Sequence, residues 1–176
     1  NDILLENILF TINNLNISSS KTSIKKVNDK FNVKGNFENE EFDFNKKDLE
    51  LFIKPFLPNL EVDELKFSSK SNFSFKINKD FKFKDIDITS DILVNNLLIS
   101  NNLNFKNFFP KNKDDIQFSK NELKIKYKKG DFSINGSGSL LIQENKDYIE
   151  YSFEKTNSIL KFKSLLKIKD NLLNIN

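Results

Sequence analysis

Four carboxylates crowd one short stretch: Glu38, Glu40, Glu41 and Asp43. Carboxylate oxygens are what a hard cation such as calcium takes as ligands. The stretch lacks the alternating Asp/Asn and the mid-loop Gly of a dedicated calcium loop. It reads instead as the solvated tip of a hairpin, with a turn over Glu38–Glu41. Two carboxylates held together can act as general acid and base, but no spacing in this chain pairs two of them. Gly136-Ser137-Gly138-Ser139 has the texture of a phosphate-cradling loop. Its glycines fall in phase with a strand and no helix follows, so the better reading is a strand face that bends or lets another group approach closely. Asn16-Ile17-Ser18, Asn72-Phe73-Ser74 and Asn135-Gly136-Ser137 match the glycosylation acceptor pattern, which an Asn-rich chain produces by chance. Phe flanked by Lys could stack bases on a sheet. The Gly and aromatic pattern of an RNA-binding sheet is missing, and Phe lies in phase with Ile and Leu, so no nucleic-acid partner is expected.

The missing residues narrow the chemistry further. The 176-residue chain has no His, Cys, Met, Trp, Ala or Arg, so every one of its 28 basic residues is Lys. That excludes disulfide scaffolds, thiolate or imidazole metal sites, haem ligation and Ser–His or Cys–His nucleophiles. Bidentate guanidinium clamps on phosphate are excluded too. The expectation is a protein with no catalytic residue, no metal and no cofactor. The excess of Lys, Asn, Ile, Leu and Phe reads as a low-GC genome rather than a functional signal. A net charge of +3 is not the footprint of a nucleic-acid binder. No apolar run reaches the roughly 18 residues of a membrane-spanning helix. Residues 1–176 read as a single β-rich segment cut from a longer repetitive chain, whose targeting signal and anchor lie elsewhere.

The elements that must carry these residues are strands. Leu123, Ile125 and Tyr127 alternate with Lys124 and Lys126. Phe132, Ile134, Gly136, Gly138, Leu140 and Ile142 share one parity, followed by Ile149, Tyr151 and Phe153, and then by Leu160, Phe162, Leu166 and Ile168. A period of two over this length predicts half-buried strands. The connections Lys129-Gly130-Asp131, Glu144-Asn145-Lys146 and Thr156-Asn157-Ser158 are short, which makes the C-terminal third a four-stranded antiparallel meander. Phe73, Phe75 and Ile77 continue the pattern, and Asn78-Lys79-Asp80 reads as a turn. Beyond it the parity slips at Asp85, which predicts a bulge. Phe31, Val33, Gly35 and Phe37 form another strand, with Phe42 and Phe44 after the acidic turn.

Helix is scarce. Residues 45–58 read as a helical insertion, with Asn45 capping a helix over Lys46–Lys54. A second short turn is expected over Leu103–Phe109. Asp2–Leu9 is ambiguous: Leu5, Ile8, Leu9 and Ile12 suit a helix, whereas Ile8, Phe10 and Ile12 suit a strand, which the Thr, Ile and Asn content favours. The fold class expected is all-β, an antiparallel, twisted and curved meander of roughly eight to ten strands. It carries one apolar concave face and one short helix.

That face is the candidate functional feature. Its members are Phe73, Phe75, Ile77, Leu123, Ile125, Tyr127, Phe132, Ile134, Leu140, Ile142, Ile149, Tyr151, Phe153, Leu160, Phe162, Leu166 and Ile168. Leu123, Ile125, Phe132, Ile134, Ile149, Tyr151, Leu160 and Phe162 should point to one side of the sheet. Such a face is either the core of a closed structural or adhesive module, needing a second layer, or an open groove for acyl chains. In an open groove chains would slide, because no polar group fixes their register. A hydrolase built on carboxylates is the third alternative.

The stretch Lys47-Asp48-Leu49-Glu50-Leu51-Phe52-Ile53-Lys54-Pro55-Phe56-Leu57-Pro58 and the run Phe132-Ser133-Ile134-Asn135-Gly136-Ser137-Gly138-Ser139-Leu140, set among alternating strands, resemble the AsmA-like family. The likeness spans Phe31 to Ile168 and is closest to the YhdP/TamB-type envelope proteins of Gram-negative bacteria. It implies a non-catalytic, periplasmic segment of an inner-membrane-anchored protein. Its hydrophobic β-groove would carry phospholipid acyl chains toward the outer membrane. It further implies membrane contact through parts outside this segment, and neighbouring β segments of the same chain at its edges.

Overall fold

The computed structural model describes residues 2–55, 58, 60–100 and 107–174. Nine strands form one antiparallel sheet in chain order: β1 (Asp2–Ile12), β2 (Leu15–Val27), β3 (Lys30–Phe44), β4 (Val62–Asn78), β5 (Phe83–Ser100), β6 (Asp115–Lys128), β7 (Asp131–Leu141), β8 (Asp147–Thr156) and β9 (Ile159–Lys167). One helix, α1 (Lys46–Phe52), follows β3. The sheet is not closed into a barrel, since β1 and β9 each have one neighbour. Short turns favour sequential pairing at six of the connections, and the pairing stays sequential across the two long ones, residues 45–61 and 101–114.

Cross-strand partners point to the same side of an antiparallel sheet, so the register assigns every side chain a face. Leu123 opposes Gly136, Ile125 opposes Ile134 and Tyr127 opposes Phe132. Ile134 opposes Phe153, Gly136 opposes Tyr151 and Gly138 opposes Ile149. Phe153 opposes Phe162, and Ile149 opposes Leu166. The eight residues expected on one face of β6–β9 therefore share it. The other face carries the lysines and acids, in cross-strand ion pairs such as Lys70–Glu38 and Lys128–Asp87. All are solvent-exposed and each contributes little to stability.

The upstream strands differ from the expectation. Glu38–Glu41 is not a turn. β3 runs straight through it, with a bulge between Asn39 and Phe42. Two of its acids meet a cation across the sheet: Glu41 lies 2.8 Å from Lys66, and Glu38 lies 3.9 Å from Lys70. Pairing across the sheet replaces the solvation that a tip would supply. β1 is strand throughout. Its helix-like spacing of Leu5 and Ile8 comes from a bulge at Asn7, whose φ is +52°, so that Leu5 opposes Thr22 and Ile8 opposes Ser19 on one face. The slip expected at Asp85 is present, with φ +50° there and a register shift between Ser74 and Lys76.

Helix α1 starts where expected and ends at Phe52. The Asn45 side chain accepts from the Asp48 backbone N–H at 3.1 Å, and Asp48 accepts from the Asn45 N–H, a reciprocal capping box. Leu49 buries its side chain, and the helix packs against β3 and β4 alone. The turn expected over 103–109 lies outside the described residues as far as residue 106.

Candidate functional site

The apolar face runs across all nine strands. At about 4.8 Å per strand it is roughly 40 Å long. Few of its residues are buried. The buried apolar side chains are Val33, Phe44, Leu49, Phe73, Val94, Phe109, Ile116, Leu140 and Ile142. The chain exposes 12420 Å2 of surface. A compact monomer of its 20.6 kDa exposes about 8,900 Å2. The excess is what an uncovered sheet face contributes.

The sequence-predicted residues fall into two groups on this face. Leu140 and Ile142 are buried in a small cluster with Phe109 and Ile116, against which Phe118, Ile149, Leu166 and Ile168 pack. The connection before β6 and the C-terminal tail close this end, where the Asn174 N–H donates to the Phe108 carbonyl and Gln143 donates to the Leu172 carbonyl. Asp147 is buried there with its oxygens accepting from the Lys169 N–H and the Asn171 amide. Five predicted residues, Leu140, Ile142, Ile149, Leu166 and Ile168, thus belong to a closed cluster and its margin. Phe73 is buried against β3. Phe75, Ile77, Leu123, Ile125, Tyr127, Phe132, Ile134, Ile149, Tyr151 and Phe153 are half-buried. Leu160 and Phe162 on the edge strand are 63% and 67% exposed.

Aromatic rings link the N-terminal half of the face. Phe10 meets Phe37 edge-on at 5.7 Å, Phe37 stacks on Phe73 at 4.3 Å, Phe73 on Phe75 at 5.7 Å, and Phe75 meets Phe83 at 5.2 Å. Phe10, Phe37 and Phe83 were not among the predicted site residues. Alternation placed Phe10 and Phe37 on strands but not on this face, since that assignment needs the pairing of one strand with the next. Continuing the face strand by strand from the register recovers them.

Two glycine positions shape the face. A Cβ on Gly35 would stand 2.7 Å from the Phe73 ring, and one on Gly136 would stand in the ring of Tyr151. Each glycine sits directly opposite the aromatic residue that lies over it. A Cβ on Gly138 would stand 2.6 Å from the Asn121 Cα. The close approach expected of Gly136 and Gly138 is therefore made by Tyr151 and Asn121.

Beside Tyr151 and Asn121 lies an apolar cavity of about 280 Å3, lined by Val94, Leu97, Ile99, Phe118, Asn121, Leu123, Ile149, Tyr151 and Phe162. Its walls come from β5, β6, β8 and β9, with nothing from β7. Flat, β5 and β9 would lie about 19 Å apart. Sharing one cavity makes the apolar side concave here. Asn121 is the exception in this lining. It stands opposite Val94, on the apolar face by the same alternation as Leu123 and Ile125, and next to a bulge at Lys120, where φ is +51°. Its amide nitrogen donates to the Ser119 carbonyl at 3.1 Å and the Ser139 carbonyl at 3.0 Å. Both neighbours are acceptors, which fixes the amide orientation. Its Oδ1 is buried with no partner, an arrangement that costs about 1–3 kcal/mol. So a polar group does stand within the face, contrary to the expectation of an unmarked slide. In sequence, Asn121 shares the parity of Leu123 and Ile125, the one signal that pointed to it. Burial pushes the Tyr151 hydroxyl above its usual pKa, so it stays protonated.

Among the described residues no three carboxylates lie close enough to hold a metal ion. No helix is long and apolar enough to cross a membrane. No family model, curated protein or solved structure matches the chain.

Proposed function

We propose that this chain is a segment of an acyl-chain groove, a bridge for phospholipid of the AsmA-like kind in the periplasm of a Gram-negative cell. The observation that supports the reading is the apolar face spanning nine strands, uncovered away from its closed end and concave across β5–β9, together with the surface excess over a compact monomer. Soluble monomers expose contiguous apolar patches of only a few hundred Å2 unless the patch has a task. Acyl chains lying along the face would be held by burial alone, at about 25 cal/mol per Å2 removed from water. Their headgroups would stay in solvent beside the lysine-rich strand ends. Membrane anchoring, and β segments continuing the sheet beyond β1 and β9, belong to parts outside this segment.

The test is Ile134→Asp, a charge placed mid-face. Desolvating it sets a barrier of a few kcal/mol to a passing chain, while the open site lets the carboxylate stay wet. Lipid co-purification and photo-crosslinking of wild type and variant, read beside their denaturant midpoints, should show labelling lost and folding retained. A wild type that carries no lipid, with a variant that unfolds, would instead assign the face to a covered structural core.

A further inference from the structure

We infer that the groove has a headgroup side, the rim formed by the turns 28–29, 79–82, 129–130 and 157–158, and that this rim selects acyl chains carrying an anionic headgroup; this rests on the reading of the face as an acyl-chain groove. Antiparallel order puts α1 and both long connections, together with residues 142–146 and the tail after β9, on the opposite rim. Part of that rim is taken up by the closed cluster around Phe109 and Ile116. The four turns of the first rim are tight and leave its strand ends bare.

Charge divides the same way. The bare rim, residues 25–32, 76–85, 126–133 and 154–161, holds twelve lysines against five acids. The described residues of the other rim, in 42–64, 107–117, 139–149 and 165–174, hold eight lysines against eleven acids. A second observation does not depend on that count. Among paired residues, the register puts three charges on the apolar side: Lys26 opposite Phe31, Lys155 opposite Phe132 and Leu160, and Asp147 opposite Leu140. Asp147 is buried at the closed rim, where its oxygens accept two hydrogen bonds. Lys26 and Lys155 both lie at the bare rim, one in β2 and one in β8, and both are exposed. Neither has an ion pair among the described residues, whereas Lys25, Lys76 and Lys128 are answered by Asp2, Asp85 and Asp87.

A lysine at the margin of an apolar face lays its stem on the face and holds its ammonium in water. The phosphate of a lipid whose chains lie on the face stands at the same level. A phosphodiester with no cation of its own gains from the whole rim. A zwitterionic headgroup brings its ammonium against the same lysines, and that repulsion offsets part of the gain. A free anion has no chains to hold it there, and exposed lysines bind it weakly.

The probes are dioctanoyl-phosphatidylglycerol and dioctanoyl-phosphatidylethanolamine, which have the same chains. They are titrated calorimetrically at low salt into wild type, the double variant Lys26→Gln/Lys155→Gln, and Lys124→Gln/Lys163→Gln, which removes the same charge from the opposite face. All four lysines are exposed, so denaturant midpoints should match wild type. Wild type should bind the phosphatidylglycerol about fivefold more tightly, the scale of one exposed ion pair, and salt should shrink the preference. The rim variant should lose at least half of it and bind phosphatidylethanolamine as well as wild type does, while the opposite-face variant keeps it. Equal binding of the two lipids by wild type, or a preference lost equally in both variants, overturns the headgroup side and leaves the groove standing. Displacement of the lipid by an equal concentration of glycerophosphoglycerol, the headgroup without chains, would make the rim a free-anion site and overturn it too. No binding of either lipid by wild type overturns both the headgroup side and the groove.

Discussion

Ile134 and Leu140 lie on the same strand, on the same face, and have the same sequence pattern around them, yet one is half-buried and the other is 4% exposed. The difference is not in β7. Leu140 clusters with Ile116 from the start of β6 and with Phe109, brought by the connection before β6, and the C-terminal tail ties that connection down through Asn174. Ile134 pairs in the sheet with Ile125 and Phe153 and lies outside the buried cluster of the described residues. Periodicity marks a face as apolar and is silent on whether a second layer arrives. In this chain the layer arrives at one end only, so stability and the proposed binding divide along a single strand.

Truncation at the closed end should have the largest effect. Leu140→Ala is expected to cost about 2–5 kcal/mol, seen as a lower urea midpoint at unchanged slope. Ile134→Ala should cost clearly less, and equal losses would mean that the two ends are packed alike. Next comes the glycine between the two ends. Gly138→Ala drives a methyl toward the Asn121 backbone, which has little room to give, and about 1–3 kcal/mol should be lost. Amide exchange should report the loss at the β6–β7 bulge first. A loss shared evenly by the whole sheet would show that the bulge tolerates the methyl.

Asn45→Ala removes half of the capping box at the closed rim. About 1 kcal/mol should go, with exchange rising in α1 and no change at Phe162. On the open edge, Phe162→Ser should change stability by no more than about 0.5 kcal/mol, as for other exposed positions, while weakening chain binding. A stability loss matching that of Leu140→Ala would show that the edge is covered in solution.

The smallest effect concerns pH. The hydrogen bond from Lys66 holds the Glu41 carboxyl below the usual carboxylate range, against an opposing desolvation, and Lys76 does the same for Asp85. A lowered folded pKa means that the contribution is fully present above the unfolded value and fades as pH falls through the folded one. Lys66 is shifted up by the same partner, so its share is kept below the ordinary lysine range and lost as pH rises through the folded value. Both groups are solvent-exposed, so Glu41→Gln should only slightly flatten the acid limb of a stability-versus-pH curve, and salt should erase the difference. A steep change would point to a desolvated pair.

Much of the fold was legible in the residues. Alternation in Leu123–Tyr127, Phe132–Ile142 and Ile149–Phe153 set the strands, short polar turns set their antiparallel order, and Asn45 with Asp48 set the start of the helix. These are local effects: side chains two apart share a face, a turn of two or three residues permits one partner, and a cap acts within one helical turn. The acidic run was misread because its charges are answered across the strand by Lys66 and Lys70, which are distant in sequence. Phe10 and Phe37 were read as strand residues but not placed on this face, because their contact with Phe73 depends on the cross-strand register. That Phe109 closes one end of the face, and that Asn121 is buried with its Oδ1 unpartnered among the described residues, were settled only in three dimensions. Each depends on contacts between strands or connections far apart in the chain, and no period of two carries that information.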